Sequence, residues 1–131
     1  MIVENNRMKF WIEDDIMFSS FKKEINIDLE VAKEMIQIRH EISSEKKQYW
    51  CFDFKNLKKY TKEARDYAEN KGQEYLYATA VIINSHLAKF ILNTFMKLKK
   101  AEIPLKAFKT KEEAVSWLQE LKKSNEEKGI Y

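Results

Sequence analysis

Glycine is scarce in this chain, with two residues in 131 (Gly72 and Gly129), and proline and cysteine occur once each. Two isolated glycines cannot build the glycine-rich turn whose backbone N–H groups cradle a phosphate. The single cysteine, Cys51, cannot close an intrachain disulfide. It lies in an aromatic run with no basic neighbour to lower its pKa, so nucleophilic thiol chemistry has no support. Histidine is nearly as rare: His40 and His86 are 46 positions apart. Neither has a carboxylate or thiol at ligand spacing on its own helix face, which argues against a metal site. Of 24 basic side chains only three are arginine (Arg7, Arg39, Arg65), leaving 21 lysines. Readers of bases and phosphates favour the bidentate guanidinium, and the net charge of +3 is spread among alternating signs, so nucleic acid is not an expected partner. Long apolar runs are missing as well. A bilayer-spanning helix needs about 20 apolar residues, and even the richest stretch, Leu87 to Met96, contains Lys89 and Asn93. Lys9, Glu13, Asp14 and Asp15 interrupt the first twenty residues, which therefore hold no leader-like apolar core. Together these absences predict a soluble domain of a reducing cytoplasm, without membrane span, metal, cofactor or catalytic residues.

What is present is apolar material in ordered periods. Hydrophobic residues make up 44% and aromatics 13%, enough for one core in a chain of single-domain length. Met8, Phe10 and Ile12 share one parity, and Ile16 to Phe21 form a second short apolar run, so the two predict a hairpin. Asp28 caps a helix whose stripe is Val31, Met35, Ile38 and Ile42. Gln48 to Phe54 and Tyr77 to Ile83 read as strands covered on both faces. Thr61 opens a helix with a thin stripe (Ala64, Tyr67, Ala68), and Gly72 stands where a helix end favours positive φ. Ser85 caps a third helix, Pro104 to Phe108 is a last strand, and Thr110 with Glu113 forms a capping box ahead of Ala114, Trp117, Leu118 and Leu121. The predicted fold is α/β: an N-terminal β-hairpin followed by four βα units, giving a mixed, mostly parallel five-stranded sheet with four helices. One domain is expected over residues 1–124, with the polar stretch 125–131 as a flexible C-terminal tail.

That element order resembles the STAS domain of bacterial anti-sigma-factor antagonists over residues 7 to 121. Asp53 ends the third strand as that family's strand-ending Asp does, and Thr61, Ala64 and Arg65 fall where its next helix begins. The run D-F-K-x-L-x-x-Y-T-x-E-A-R (from Asp53 to Arg65) and the segment IPLKAFKTKEEAVSWL look like small STAS-like bacterial proteins of unassigned function. The resemblance implies a cytoplasmic regulatory or protein-interaction module. It also implies a phosphorylated serine at the start of this helix, but the matching stretch here is Tyr60, Thr61, Lys62, Glu63, so only Thr61 offers a hydroxyl. Thr61 is thus either a phosphosite or a helix cap.

Three surfaces compete as sites. Lys55, Lys58, Lys59 and Lys62 stand beside Asp53 at the carboxyl end of a central strand, where open α/β sheets place ligands. With Thr61 and Arg65 they form an edge suited to an acidic protein partner or a phosphate, although solvated loop lysines explain the same pattern. The third helix is apolar around an arc of roughly 240°. Phe90, Leu92 and Met96 on its margins therefore need cover from neighbouring helices, from a second copy in a homodimer, or from an apolar or lipid-like ligand. A receiver-like phosphoacceptor site could draw on Asp14, Asp15, Asp53, Ser85 and Lys106. Its acidic pair, however, leads straight into another strand and so sits at a hairpin tip. The leading expectation is a non-catalytic module that contacts an unidentified protein through the Asp53 to Arg65 edge; the alternative is a small carrier of an apolar ligand.

Overall fold

The computed structural model describes residues 2–98 and 103–129, with the backbone alone for 94–98. The chain opens with β1 (Ile2–Glu4), β2 (Met8–Glu13) and β3 (Ile16–Phe21), antiparallel in sequence. Asp14 and Asp15 make the β2–β3 turn with φ of 52° and 63°. A two-residue turn of this hand needs positive φ at both positions, which aspartate tolerates better than most residues. Next come β4 (Ile25–Ile27), α1 (Leu29–Ser43), β5 (Gln48–Asp53), β6 (Leu57–Tyr60), α2 (Lys62–Lys71), β7 (Leu76–Ile82), α3 (His86–Leu98), β8 (Leu105–Phe108) and α4 (Lys111–Glu127). The main sheet has the order β1-β2-β3-β5-β7-β8, and β3, β5, β7 and β8 run parallel.

The five expected strands are all in that sheet, and β1 adds a sixth at its antiparallel edge. β4 and β6 pair parallel in a separate two-stranded sheet. This corrects the reading of the lysines after Asp53 as loop residues: Leu57–Tyr60, with Lys58 and Lys59, is a strand. At three and four residues, β4 and β6 are too short for alternation to betray them.

Alternation along the strands divides the core between two faces. Phe10, Met17, Trp50, Phe52 and Val81 face α1, α2 and α3, while Ile16, Phe18, Cys51, Ala78 and Ala80 face α4. Expected caps are present. Asp28 accepts from the Val31 amide at 2.9 Å, Ser85 from the Ala88 amide at 3.0 Å, and Thr110 from the Glu113 amide at 3.2 Å.

Two details differ from expectation. Gly72 ends α2 with φ of −72°, so it is not there for a left-handed turn. A Cβ on it would lie 2.2 Å from the Ala68 carbonyl oxygen, so the glycine answers a crowded close approach. α4 runs through Glu127, into the stretch expected to be a tail, where the Asn125 side-chain amide donates to the Tyr49 hydroxyl at 2.8 Å.

Candidate functional site

Three helices share one face of the sheet without filling it. Between them and the strands lies a chamber of about 200 Å³. Its floor is aromatic and aliphatic: Trp50, Phe52 and Phe54 along β5 and just beyond, Val81 and Thr79 on β7, Leu105 on β8. α1 contributes Ala32, Met35 and Ile36, and α3 contributes Ile91 and Leu92. The α2 side supplies Ala68, Glu69, Gly72 and Gln73, and Tyr60 closes the wall from β6. The reason for the space is visible in the sequence of the walls. Ala32, Ala68 and Gly72 stand where larger side chains would reach across it, and the apolar stripe of α2 is as thin as the sequence suggested. The sequence reading missed the floor. Its signal was the single parity of Trp50, Phe52 and Phe54, three aromatics on the face that the helices leave half open.

A buried guanidinium braces one wall. Arg39 on α1 has no exposed surface, and its Nη1 and Nη2 donate to the carbonyls of Glu74 and Gly72 at 2.8 and 2.9 Å. The guanidinium lies 5.3 Å from the centre of the Trp50 ring. Burial pulls its pKa down to about 10, opposed in part by the charge of Glu74. Arg39 thus ties the α2–β7 turn to α1 and holds Gly72 in the wall.

The residues expected at the Asp53 to Arg65 edge fall into two groups. Lys55, Lys58, Lys59 and Lys62 are exposed. Lys58 pairs with Glu24 at 3.4 Å and Lys62 with Asp66 at 3.2 Å, contacts that water leaves weak. The other three serve the local fold. Asp53 accepts from the Lys55 amide at 2.9 Å, Thr61 caps α2 by accepting from the Ala64 amide at 3.2 Å, and Arg65 donates to the Tyr60 carbonyl at 2.6 Å. Burial holds the Tyr60 phenol well above its ordinary range, with Arg65 pulling the other way. β6 therefore belongs to both places, with Lys58 and Lys59 outside and Tyr60 in the chamber wall.

On α3, Leu92 is 4% exposed and lines the chamber, whereas Phe90 is 68% exposed. The Met96 side chain lies outside the described residues. The receiver arrangement does not assemble. β3 begins beside Tyr49, so the Asp14–Asp15 turn is at the amino end of the parallel strands and Asp53 is at the other. Asp15 pairs instead with Lys122 at 3.3 Å. Among the described residues no three His, Cys, Asp or Glu side chains group as metal ligands, and no helix is long and apolar enough to cross a membrane. Burial pushes the Cys51 thiol up to about 12, aided by the charge of Asp53.

The element order and sheet topology are those of a SpoIIAA-like, that is STAS-like, α/β fold. The architecture is similar to that of an uncharacterized protein of the DUF3478 family with a SpoIIAA-like fold from Shewanella loihica PV-4. The two share 15% identity with a TM-score of 0.63, covering 90% of this chain and 98% of the other. The chain belongs to the family described as Domain of unknown function (DUF7793), whose profile matches residues 10–122. No curated protein matches it in sequence.

Proposed function

We propose that the chain is a non-catalytic binding module that holds a small apolar ligand in the chamber between the sheet and α1, α2 and α3. The observation that carries this reading is the chamber itself. Interiors normally close such space, because unfilled apolar volume sacrifices about 24 cal/mol per Å³. A ligand that fills the space recovers that packing and stabilises the fold by mass action.

The test combines native mass spectrometry with two filling variants, Ala32→Leu and Ala68→Leu. The wild type is expected to carry, or take up from a small-molecule library, a ligand that raises its Tm. Each variant is expected to lose that uptake while its own Tm rises by the equivalent of about 0.5 to 2 kcal/mol. A wild type whose melting is unmoved by any apolar compound defeats the proposal.

A second reading, a regulatory protein-interaction module, keeps the Asp53 to Arg65 edge as the contact surface. It is supported by the exposed Lys55, Lys58 and Lys59 at the carboxyl end of β5, the end at which open α/β sheets bind. Lys55→Glu with Lys59→Glu is expected to abolish recovery of a specific partner in pull-downs that the wild type supports. Equal recovery by both proteins removes the edge from consideration.

A further inference from the structure

We propose that the ligand of the chamber is a compact, uncharged aromatic molecule of one or two rings, of phenolic or indolic type, and not an acyl chain. The proposal rests on the chamber being a ligand site, and it draws on size, surface and charge.

Size comes first. Pockets for drug-sized ligands occupy about 300 to 1,000 Å³, whereas an apolar cavity of about 150 Å³ takes up benzene. At about 200 Å³ this chamber is scaled to a small ring system, and a long acyl chain could not be enclosed. The surface agrees. Trp50 and Phe52 lie near-parallel with centroids 4.7 Å apart, and Phe54 meets Phe52 edge-on at 4.7 Å. All three rings line the chamber, and aromatic lining gives a further ring offset or T-shaped contacts that a flexible chain cannot exploit. A chain would also surrender rotamer freedom on entering, which a rigid ring does not.

Charge excludes the commonest apolar acids. Among the described lining residues none is basic, and the one that can carry charge is Glu69 on α2. Among these residues a fatty carboxylate would find no cationic partner, and burying it unpaired is costly. A neutral ligand avoids that cost. The Thr79 hydroxyl on the floor can bond one polar substituent, such as a ring O–H or N–H, which gives a phenol or indole an orientation.

The experiment is a titration of the full chain, with labelled methyl groups of Met35, Val81, Ile91 and Leu92 followed by NMR. The probes are indole, 1-naphthol, decanol and decanoate. Indole and 1-naphthol are expected to shift these signals saturably, with a Kd at least tenfold below those of decanol and decanoate, and Ala68→Leu is expected to raise the ring-probe Kd at least tenfold. Decanol binding as tightly as the rings overturns the aromatic class, and decanoate doing so overturns the neutral class. Either result leaves the chamber standing as a ligand site. Signals that no probe moves overturn the ring proposal and the chamber reading together.

Discussion

Arg39 is the largest fully buried side chain among the described residues, and its setting is unusual because no carboxylate hydrogen-bonds it. Two backbone carbonyls and the face of Trp50 hold the charge instead, so the fork of the guanidinium matters more than its sign. Arg39→Ala strands both carbonyls in the interior, and each unmet acceptor costs about 1 to 3 kcal/mol. The expected loss is therefore about 3 to 5 kcal/mol in denaturant unfolding. Arg39→Lys, with a point charge that cannot serve two acceptors in a plane, is expected to fall between. In the sequence this residue was hidden by its type. The stripe read for α1 ran through Val31, Met35, Ile38 and Ile42, whereas the buried set is Val31, Ala32, Met35, Ile36, Arg39, Ile42 and Ser43, with Ile38 only partly buried. An arginine inside an apolar stripe reads as a rim residue until the carbonyls it satisfies, 33 and 35 positions away, are known.

α2 shows how far an element can be read before its packing is seen. Its start was legible because a Thr cap needs only local geometry, and Thr61 accepts from the Ala64 amide as expected. Thr61→Ala is expected to cost about 1 kcal/mol in thermal or denaturant melts. Thr61→Asp, which keeps an acceptor and places negative charge at the helix start, is expected to melt close to the wild type. If phosphorylation at Thr61 controls the lysine edge, Thr61→Asp will lose partner binding while Thr61→Ala keeps it; equal binding by both assigns Thr61 to capping alone. The thin stripe of α2 was legible too, but its consequence was not. Small side chains signal close helix packing as readily as empty space, and only the positions of α1 and α3 decide between them. The long strands and α4 were readable because several residues repeat one period, whereas β4 and β6 depend on pairing with each other across 29 or more intervening residues.

At the level of the whole domain, the cover of the sheet is uneven, with α1, α2 and α3 on one side and α4 on the other. The broad apolar arc of α3 is partly explained by that arrangement: Leu92 turns into the chamber, and Phe90 is left outside. Phe90→Glu is expected to cost far less than Leu92→Glu, because the Phe90 side chain is already 68% exposed. Leu92→Glu buries an unpaired charge and is expected to cost several kcal/mol or to unfold the domain. Light scattering carries the same pair of variants further. A homodimer built on Phe90 will dissociate in Phe90→Glu, and a wild type that stays monomeric at high concentration ends the idea of a second copy there. The sequence could place both residues at the margins of one arc, but the choice between core, ligand and partner needed the sheet beneath them.

The hollow side of the sheet also makes volume a thermodynamic variable of this protein. Unfolding under pressure is driven by the elimination of internal space that water does not fill, commonly about 20 to 100 mL/mol, and the part of the chamber of about 200 Å³ that its apolar lining keeps dry adds to that change. An apolar occupant of the chamber should raise the pressure midpoint by more than its effect on the melting temperature alone would suggest. Compression therefore reports whether the chamber is filled without requiring the identity of what fills it.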